Sequence, residues 1–418
     1  MRKVYQRSKK LLITLITTLI ACQIWAADIY VVNSESRTLS HINTETGTVN
    51  NLFCQLGLTP NGFDLDENHI YVALSGDNAI QVIARQSGTH LRYIPVAPSA
   101  NPWDCLKVGD YLYVSGLITG KVYKISLQSG SVVAAVDTGI CPEGLAFANG
   151  KLYVTNAGNY QDGYTNSSVA VIDLASFSLQ SSIPVWLNPQ NAIRVGDKIH
   201  VACTGNWVDQ FGKVYVIDSL TDTVESIIPL GGNLGGMWHS PSGKVYVGDG
   251  MNSGVYAYDA QSYSIHYSSA NPLSPGGMNI SGNSAFIAVL DASWGSNGTV
   301  RIRQHDYSPL AQYTVGLAPT EMMIYDGNVA VEEALSALPA IRCYPNPLVN
   351  GKELHFEGKE LSNARLSIFN LRGQKVFSQN LISNRSTIHI PNHSSGLYFY
   401  RIESKEGVSH GKLLIQDR

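Results

Sequence analysis

Three segments of this chain each place an aromatic residue beside glycine and a small polar residue. They are Gly158-Asn159-Tyr160, Gly205-Asn206-Trp207 and Ser293-Trp294-Gly295. A rigid aromatic ring offers a broad apolar surface, and a neighbouring amide offers both a hydrogen-bond donor and an acceptor. Together they suit a large, flat and partly polar ligand.

A second group of polar residues follows prolines that recur along the chain, as in Pro102-Trp103-Asp104, Pro142-Glu143 and Pro319-Thr320-Glu321. Carboxylates brought together in this way offer the oxygen ligands that Ca²⁺ prefers, but they serve equally well as acceptors for backbone amides. Neither a Gly-x-Ser-x-Gly nor a His-Glu-x-x-His motif occurs, which favours binding over catalysis. The predicted ligand-binding residues are Trp103, Asp104, Glu143, Asn159, Tyr160, Asn191, Asn206, Trp207, Asp249, Asn252, Asp291 and Trp294.

A repeat positions these residues. A tripeptide of apolar, aromatic and apolar type, first seen as Ile29-Tyr30-Val31, recurs seven times, with His200 in place of the ring in the fifth copy. The steps between the central residues are 41, 42, 40, 47, 46 and 40. A period of this length, built from short β-branched and aromatic runs, is typical of β-propeller blades of four strands each.

The two ends of the repeat are incomplete in a complementary way. The first copy begins at its second strand, Asp28–Val32, and the last proline segment, Pro319–Tyr325, supplies a first strand without a following blade. Pairing of these strands would close a seven-bladed ring and remove its free edges. A degenerate eighth blade at Val329-Ala330-Val331 stays open as an alternative.

In such a ring, the loops between blades and those between second and third strands emerge on one side, which we call the loop face. The predicted binding residues all belong to this face, and the longest loops are those of blades 4, 5 and 7. Long loops on one face of a repeat protein usually mark its binding surface. Two histidines are expected to be structural: His200 in a core strand and His239 towards the opposite face.

The N-terminal residues 1–26 predict a signal peptide, because five basic residues precede the apolar run Leu11–Ala21. Cleavage before Ala27 and lipidation of Cys22 are both compatible with the sequence. Five cysteines remain after the signal, and Cys105 with Cys141 is the predicted disulfide.

The last 80 or so residues leave the repeat. The segments Tyr344-Pro345-Asn346-Pro347, Leu371-Arg372-Gly373-Gln374 and Gly396-Leu397-Tyr398-Phe399 occur there in order. This segment resembles the C-terminal sorting domain of the type IX secretion system. The resemblance implies a small β-sandwich over 340–418, recognition by the outer-membrane translocon and its sortase, and a linker at 332–339. It places the protein outside the cell or on its outer surface.

The charges divide unevenly along the 418 residues. The whole chain has 29 basic and 32 acidic residues, whereas residues 27–338 have 13 basic against 26 acidic ones. A propeller (27–331) with this surplus of negative charge would repel a phosphate backbone, which argues against nucleic-acid binding.

The segment Gly150-Lys151-Leu152-Tyr153-Val154-Thr155-Asn156 resembles the YVTN or YncE-like propellers. That resemblance implies the propeller fold and a binding protein whose ligand the family does not define, and relatives on the outer surface suggest a corrinoid handed to an outer-membrane transporter. Two alternatives remain open: a lyase or lactonase with a metal such as Ca²⁺ on the propeller axis, and a protein-interaction or surface-layer scaffold.

Overall fold

The structure is a computed structural model that describes residues 27–292, 295–327, 341–349, 353–358, 361–370, 374–391, 394–404 and 407–416. The chain divides into two compact units, 1–330 and 331–418. Within the described residues the regular structure is almost entirely β, with one 3₁₀ turn at Tyr160–Asp162. The predicted signal peptide, the linker and the alternative eighth blade lie outside the described residues.

The first unit consists of successive four-stranded antiparallel sheets, or blades. Blade 1 contains β1 (Asp28–Asn33), β2 (Thr38–Asn43) and β3 (Thr48–Gln55). Blade 2 contains β4 (Pro60–Leu65), β5 (His69–Leu74), β6 (Ala79–Ala84) and β7 (His90–Pro95). Blade 3 contains β8 (Pro102–Val108), β9 (Tyr111–Gly116), β10 (Lys121–Ser126) and β11 (Ser131–Asp137). Blade 4 contains β12 (Pro142–Ala148), β13 (Lys151–Asn156), β14 (Ser168–Asp173) and β15 (Ser178–Pro184).

The remaining blades repeat this order. Blade 5 contains β16 (Pro189–Val195), β17 (Lys198–Cys203), β18 (Lys213–Asp218) and β19 (Thr223–Ile228). Blade 6 contains β20 (Leu234–His239), β21 (Lys244–Asp249), β22 (Val255–Asp259) and β23 (Ile265–Tyr267). Blade 7 contains β24 (Asn279–Gly282), β25 (Ile287–Asp291), β26 (Asn297–Arg303) and β27 (Pro309–Leu317), and β28 (Pro319–Tyr325) then returns to blade 1. The described residues thus form seven four-stranded sheets.

The predicted all-β propeller is confirmed, and the burial of its strands explains the repeat. The second strand of most blades, such as β5 and β13, is buried at five of six positions, because neighbouring blades cover both of its faces. Apolar β-branched and aromatic residues therefore fill it without alternation. The fourth strand lies at the outer edge and alternates between exposed and half-buried residues, as β11 does.

The ring closes through its two ends. β28 pairs antiparallel with β1, so Ile324 lies opposite Ile29 and Met322 opposite Val31. Side chains strengthen the junction with blade 2: Arg85 pairs with Asp28 at 3.3 Å, and its guanidinium lies 3.5 Å from the centre of the Tyr325 ring. Because β28 pairs with β1, the edge of β1 that faces away from β2 has a hydrogen-bonded partner.

The second unit begins with β29 (Arg342–Tyr344), β30 (Leu348–Val349), β31 (Glu353–Glu357) and β32 (Arg365–Phe369). It ends with β33 (Lys375–Asn380), β34 (Arg385–His389), β35 (Gly396–Ser404) and β36 (Gly407–Gln416). These strands form a three-stranded and a five-stranded sheet around one apolar core that includes Phe356, Ile368 and Tyr400. No helix within the described residues is long and apolar enough to span a membrane.

Candidate binding face and central channel

The inner strands of blades 1 to 4 are joined by carboxylates. Each such side chain accepts a hydrogen bond from a backbone N–H of the next blade: Glu321 from Phe63 at 3.2 Å, Asp64 from Lys107 at 2.7 Å and Asp104 from Leu145 at 3.2 Å. Inner strands of different blades share no sheet ladder, so these bonds connect them. They satisfy amides that would otherwise face the channel without a partner.

Burial raises the pKa values of Asp104, Glu143 and Glu321, and neighbouring carboxylates add to the effect. Burial, followed by the Asp64 charge, raises the pKa of Asp104 to about 7. Burial and the nearby Asp104 raise the pKa of Glu143 to about 8 and the pKa of Glu321 well above its ordinary value. Glu143, only 7 % exposed, makes no side-chain hydrogen bond within the described residues. At neutral pH it therefore retains its proton.

This arrangement serves structure more readily than metal binding. Both oxygens of Asp64 and both oxygens of Asp104 already accept backbone hydrogen bonds. Within the described part of the chain, no group of three His, Cys, Asp or Glu side chains is placed to hold a metal ion.

An aromatic cluster forms on the loop face between blades 4, 5 and 6. The rings of Tyr160 and Tyr164 meet edge to face with centres 5.9 Å apart, and the Trp207 side chain lies close to Tyr164. A methyl group at Gly250 would lie 3.1 Å from the Trp207 ring, so the indole packs on that backbone. Tyr160 and Trp207 are thus brought to the same region, as the sequence analysis predicts.

Two members of this cluster have strained backbones. Tyr164 and Trp207 have φ values of 62° and 66°, in the left-handed region that bulky residues rarely adopt. A strained backbone of this kind persists only when the surroundings enforce it, and it is common at binding sites.

The polar residues predicted beside the aromatic rings have structural partners. The Asn159 side chain caps the 3₁₀ turn at the Gln161 amide, and Asn206 accepts three backbone hydrogen bonds from residues 208–210 of its own loop. Asn252 accepts from Gly277, and Asp291 pairs with Arg301 through two contacts of 2.5 and 2.7 Å. These side chains shape the loops, and their contact with a ligand stays a prediction.

Asp249 shows this shaping role most clearly. It is 1 % exposed and accepts hydrogen bonds from the Tyr256 hydroxyl at 2.8 Å, Asn233 N–H at 2.9 Å and Met251 N–H at 2.9 Å. Asp249→Ala would leave these donors without their acceptor and is expected to destabilise the propeller by about 3 kcal/mol.

Thermal unfolding measures this effect, with Asp209→Ala as the matched control. Asp209 lies in the corresponding loop of blade 5, but it is exposed and its carboxylate bonds to Asn206. The control is expected to change stability by less than about 0.5 kcal/mol. Equal losses in both variants would show that Asp249 does not organise its loop.

The remaining predicted residues fall into three groups. Trp103 and Asn191 are half-buried on the inner strands β8 and β16, where Asn191 lies next to Gly144 of blade 4. Trp294 lies outside the described residues.

His200 is fully buried with its Nδ1 2.6 Å from the Tyr258 hydroxyl, and burial lowers its pKa to about 4, which fits the expected structural role.

The predicted disulfide is wrong. The five cysteines of the described residues are free. The Cys105 thiol donates to the Tyr71 carbonyl at 3.2 Å, across the contact with blade 2, whereas Cys141 lies in the loop that leads to blade 4.

Large apolar side chains are exposed across the loop face. The described ones are Leu58, Ile118, Ile140, Tyr160, Val208, Phe211 and Met251. In the loops of the opposite face, Leu220 is the one such side chain among the described residues. The exposed large apolar side chains of the described loops are therefore concentrated on the loop face.

The face opposite the loop face differs from it in having a cavity. A cavity of about 540 Å³ lies at the far ends of β4, β20, β24 and β28, and Trp238 and His239 line it. The sequence predicts His239 towards this face but does not predict a cavity. The adjacent Trp238-His239 pair at the end of an inner strand was the available signal.

Comparison with known proteins decides the nature of the second unit. Residues 342–416 match the secretion system C-terminal sorting domain. The second unit is a sorting domain. The prediction of type IX export is confirmed, and the protein is secreted and carried to the outer cell surface by that machinery.

The first unit is similar in fold to distant propellers. Hydrazine synthase from Kuenenia stuttgartiensis has 17% identity and a TM-score of 0.53, with 63% of this chain and 88% of that chain covered. A chain of a mitotic checkpoint complex has 14% identity and a TM-score of 0.50, with 62% and 78% covered. The Neurospora crassa Pan2 WD40 domain has 11% identity, a TM-score of 0.47, and 63% and 80% covered. No curated protein matches the chain. At these identities the likeness to the hydrazine synthase and checkpoint chains shows the fold alone.

Proposed function

We propose that this protein is a non-catalytic binding propeller of the outer cell surface, with its ligand held on the loop face. The observation that carries the proposal is the cluster of Tyr160, Tyr164 and Trp207 among exposed apolar side chains on that face. Tyr160 is 71 % exposed, although burying a ring of this size is favourable. A ligand that covers it would gain that burial.

The channel carboxylates support binding rather than catalysis. Asp64 and Asp104 direct their oxygens at backbone amides, and Glu143 is held in its neutral form by burial. A metal-dependent lyase or lactonase needs carboxylates that are ionised and converge on one ion. It is therefore the less favoured alternative.

As the ligand we propose a corrinoid, passed on to an outer-membrane transporter. A corrin is a large ring with amide-bearing side chains, so it combines a flat apolar area with polar groups at its rim. The loop face offers the matching chemistry in its aromatic cluster and in the nearby Asn166 and Gln161 amides. The resemblance to YVTN propellers agrees with this proposal but does not carry it.

A partner protein is the second candidate. Ile118, Val208 and Met251 are 66, 76 and 64 % exposed, and they lie on three different blades. Exposed aliphatic residues spread over several blades suit a broad protein surface better than one small ring. We also propose that the sortase of the export machinery cuts within 332–339, which would release the propeller from its sorting domain.

Tyr160→Ala and Trp207→Ala are expected to weaken cyanocobalamin binding by at least about tenfold each, because each removes an aromatic contact worth about 1.5 kcal/mol or more. Equilibrium dialysis read by visible absorbance measures the change. The melting temperature of Tyr160→Ala is expected to stay within about 2 °C of the parent, since its ring is mostly exposed. A large loss of stability in both variants would show that these residues pack the loops instead.

Leu52→Ser is the control for this experiment. Leu52 is 77 % exposed like Tyr160, but it lies on the outer strand β3, away from the loop face. It should leave binding unchanged. Binding to the parent that no loop-face variant alters would place the ligand elsewhere on the molecule.

A further inference from the structure

Glu143 is a buried carboxyl group without a hydrogen-bond partner. It is 7 % exposed, and its side chain makes no hydrogen bond within the described residues. The other carboxyl groups of the described inner strands, those of Asp64, Asp104 and Glu321, all accept backbone N–H groups of neighbouring blades. A buried polar group without a partner costs stability, so its presence calls for an explanation. A ligand that supplies the partner is one.

Glu143 lies at the loop-face end of β12, close to the aromatic cluster. It is the second residue of that strand, and burial followed by the Glu143 charge raises the pKa of Tyr164, so the two groups lie within electrostatic reach of each other. The backbone is fixed on both sides: the Ser115 hydroxyl donates to the Glu143 carbonyl at 2.7 Å, and the Gly144 N–H donates to the Thr155 hydroxyl at 2.8 Å. The carboxyl group is therefore held in place before any ligand arrives, which reduces the cost of binding.

A second polar group without a partner lies on the neighbouring inner strand, β16. The side-chain oxygen of Asn191 is buried, and neither end of its amide makes a hydrogen bond within the described part of the chain. The two strands meet at Gly144, where a methyl group would lie 3.1 Å from the Asn191 Cα atom. A carboxyl group and an amide, both without partners, thus lie on adjacent inner strands.

The groups that face Glu143 keep it neutral. Asp104 approaches from β8, Tyr164 from the loop after β13 and Cys141 from the loop before β12. The basic residues of β8, β13 and β16 lie towards the opposite ends of those strands: Lys107, Lys151 and Arg194. Burial and then Asp104 raise the pKa of Glu143 to about 8. At neutral pH its carboxyl group therefore offers one O–H donor and one carbonyl acceptor.

We propose that Glu143 and Asn191 bind a primary carboxamide group of the loop-face ligand. A carboxamide donates from its NH₂ group and accepts at its carbonyl oxygen, so it pairs with a neutral carboxyl group through two hydrogen bonds. The second N–H of the NH₂ group is available for the buried Asn191 oxygen. A corrinoid bears several such groups, so the site rests on the proposed function and names how its ligand is recognised.

Other ligand groups match these two residues less well. A hydroxyl group has one donor and reaches only one of the two acceptors, and a ketone has none. A carboxylate or phosphate would approach the acidic Asp104. A metal ion needs several ionised oxygens, whereas both oxygens of Asp104 accept backbone hydrogen bonds.

Saturation-transfer NMR on the full chain at pH 6.5 tests the site with propionamide. Butanone is the matched control, because it has the same size and a carbonyl group but no N–H donor. Propionamide is expected to receive at least about fivefold more saturation than butanone. An absent propionamide signal would overturn the proposal, as would an equal signal from butanone.

Glu143→Leu locates the propionamide signal. This variant removes no side-chain hydrogen bond of the described residues, so it is expected to fold. It should reduce the signal by at least about fivefold, whereas Leu52→Ser on the outer strand β3 leaves the signal unchanged. A full signal in Glu143→Leu would place the amide elsewhere and overturn the site.

The pH dependence of binding gives a readout that a purely structural role would not change. Between pH 6.5 and pH 9 Glu143 loses its proton, and an ionised carboxylate cannot donate to the amide carbonyl. The parent is expected to lose about tenfold in affinity for propionamide over this range, and Glu143→Gln less than about twofold. Near-UV circular dichroism identifies the samples that are folded at both pH values. Equal losses in the two proteins would contradict the role of Glu143.

Equilibrium dialysis against cyanocobalamin separates this site from the proposed function. Glu143→Leu is expected to bind cyanocobalamin at least about tenfold more weakly than the parent. Full affinity in Glu143→Leu would overturn the amide site and leave the loop-face proposal in place. A propionamide signal that depends on Glu143, in a parent that does not retain cyanocobalamin, would support the amide site and contradict the corrinoid.

Discussion

Raising the pH from 5 to 9 is expected to lower the free energy of unfolding of the propeller, and Glu143→Gln is expected to remove the part of that loss that comes from Glu143. Burial and Asp104 raise the pKa of Glu143 from 4.5 to about 8 in the folded protein. The unfolded chain releases this proton near its ordinary pKa, whereas the folded chain retains it. Stability therefore falls as the pH rises from about 4.5 to about 8 and levels off above that range.

The size of the effect follows from the difference between the pKa values of Glu143 in the unfolded and folded chains. About 3.5 pKa units correspond to between about 3 and 5 kcal/mol at pH 8.5. Glutamine is neutral at every pH and has nearly the same shape, so Glu143→Gln should be more stable than the parent at pH 8.5 and within about 1 kcal/mol of it at pH 5. Asp104, whose pKa is raised to about 7, contributes in the same direction in both proteins.

Urea unfolding at pH 5 and pH 8.5, followed by tryptophan fluorescence, measures the difference. Glu45→Gln is the matched control, because Glu45 is exposed and has no side-chain hydrogen bond within the described residues. The control should follow the parent at both pH values. A difference between Glu143→Gln and the parent that does not change with pH would show that Glu143 is ionised in the folded protein.

Removal of residues 339–418 is expected to abolish delivery to the cell surface. These residues include the sorting domain and belong to the second compact unit of the chain. A chain that ends at residue 338 retains the signal and all described propeller strands. It should accumulate inside the outer membrane in a folded form.

Protease treatment of intact cells measures this prediction. The full-length chain should be accessible to the protease, and the shortened chain should be protected until the outer membrane is opened. A full-length Tyr160→Ala variant is the control, since it alters the loop face without touching the sorting domain. Surface exposure of the shortened chain would show that another segment directs export.

The sequence predicts the propeller because the repeat is a direct consequence of burial. Tyr30, Tyr113 and Tyr153 lie on second strands that neighbouring blades enclose, and few residue types tolerate that environment. The closure by β28 follows from the same pattern, since the repeat begins at a second strand and ends on a first strand. The sorting domain is recognisable because its motifs keep their order.

The channel and the cavity are not predictable in the same way. The bond from Lys107 to Asp64 depends on the stagger between two blades, which no local pattern reports. The cavity joins Trp238 to Gly282 and His305, residues that are up to 67 positions apart. The disulfide prediction was wrong for a related reason: nearness to the start of neighbouring blades does not fix the direction of the Cys105 side chain.

Equilibrium dialysis of the full chain against cyanocobalamin measures ligand binding on the loop face. The parent and Leu52→Ser are expected to retain the corrinoid, whereas a Tyr160→Ala, Trp207→Ala double variant of native stability is expected not to. Absence of retention by the parent would contradict the proposed ligand. Equal retention by the double variant would contradict the assignment of the loop face as the binding site.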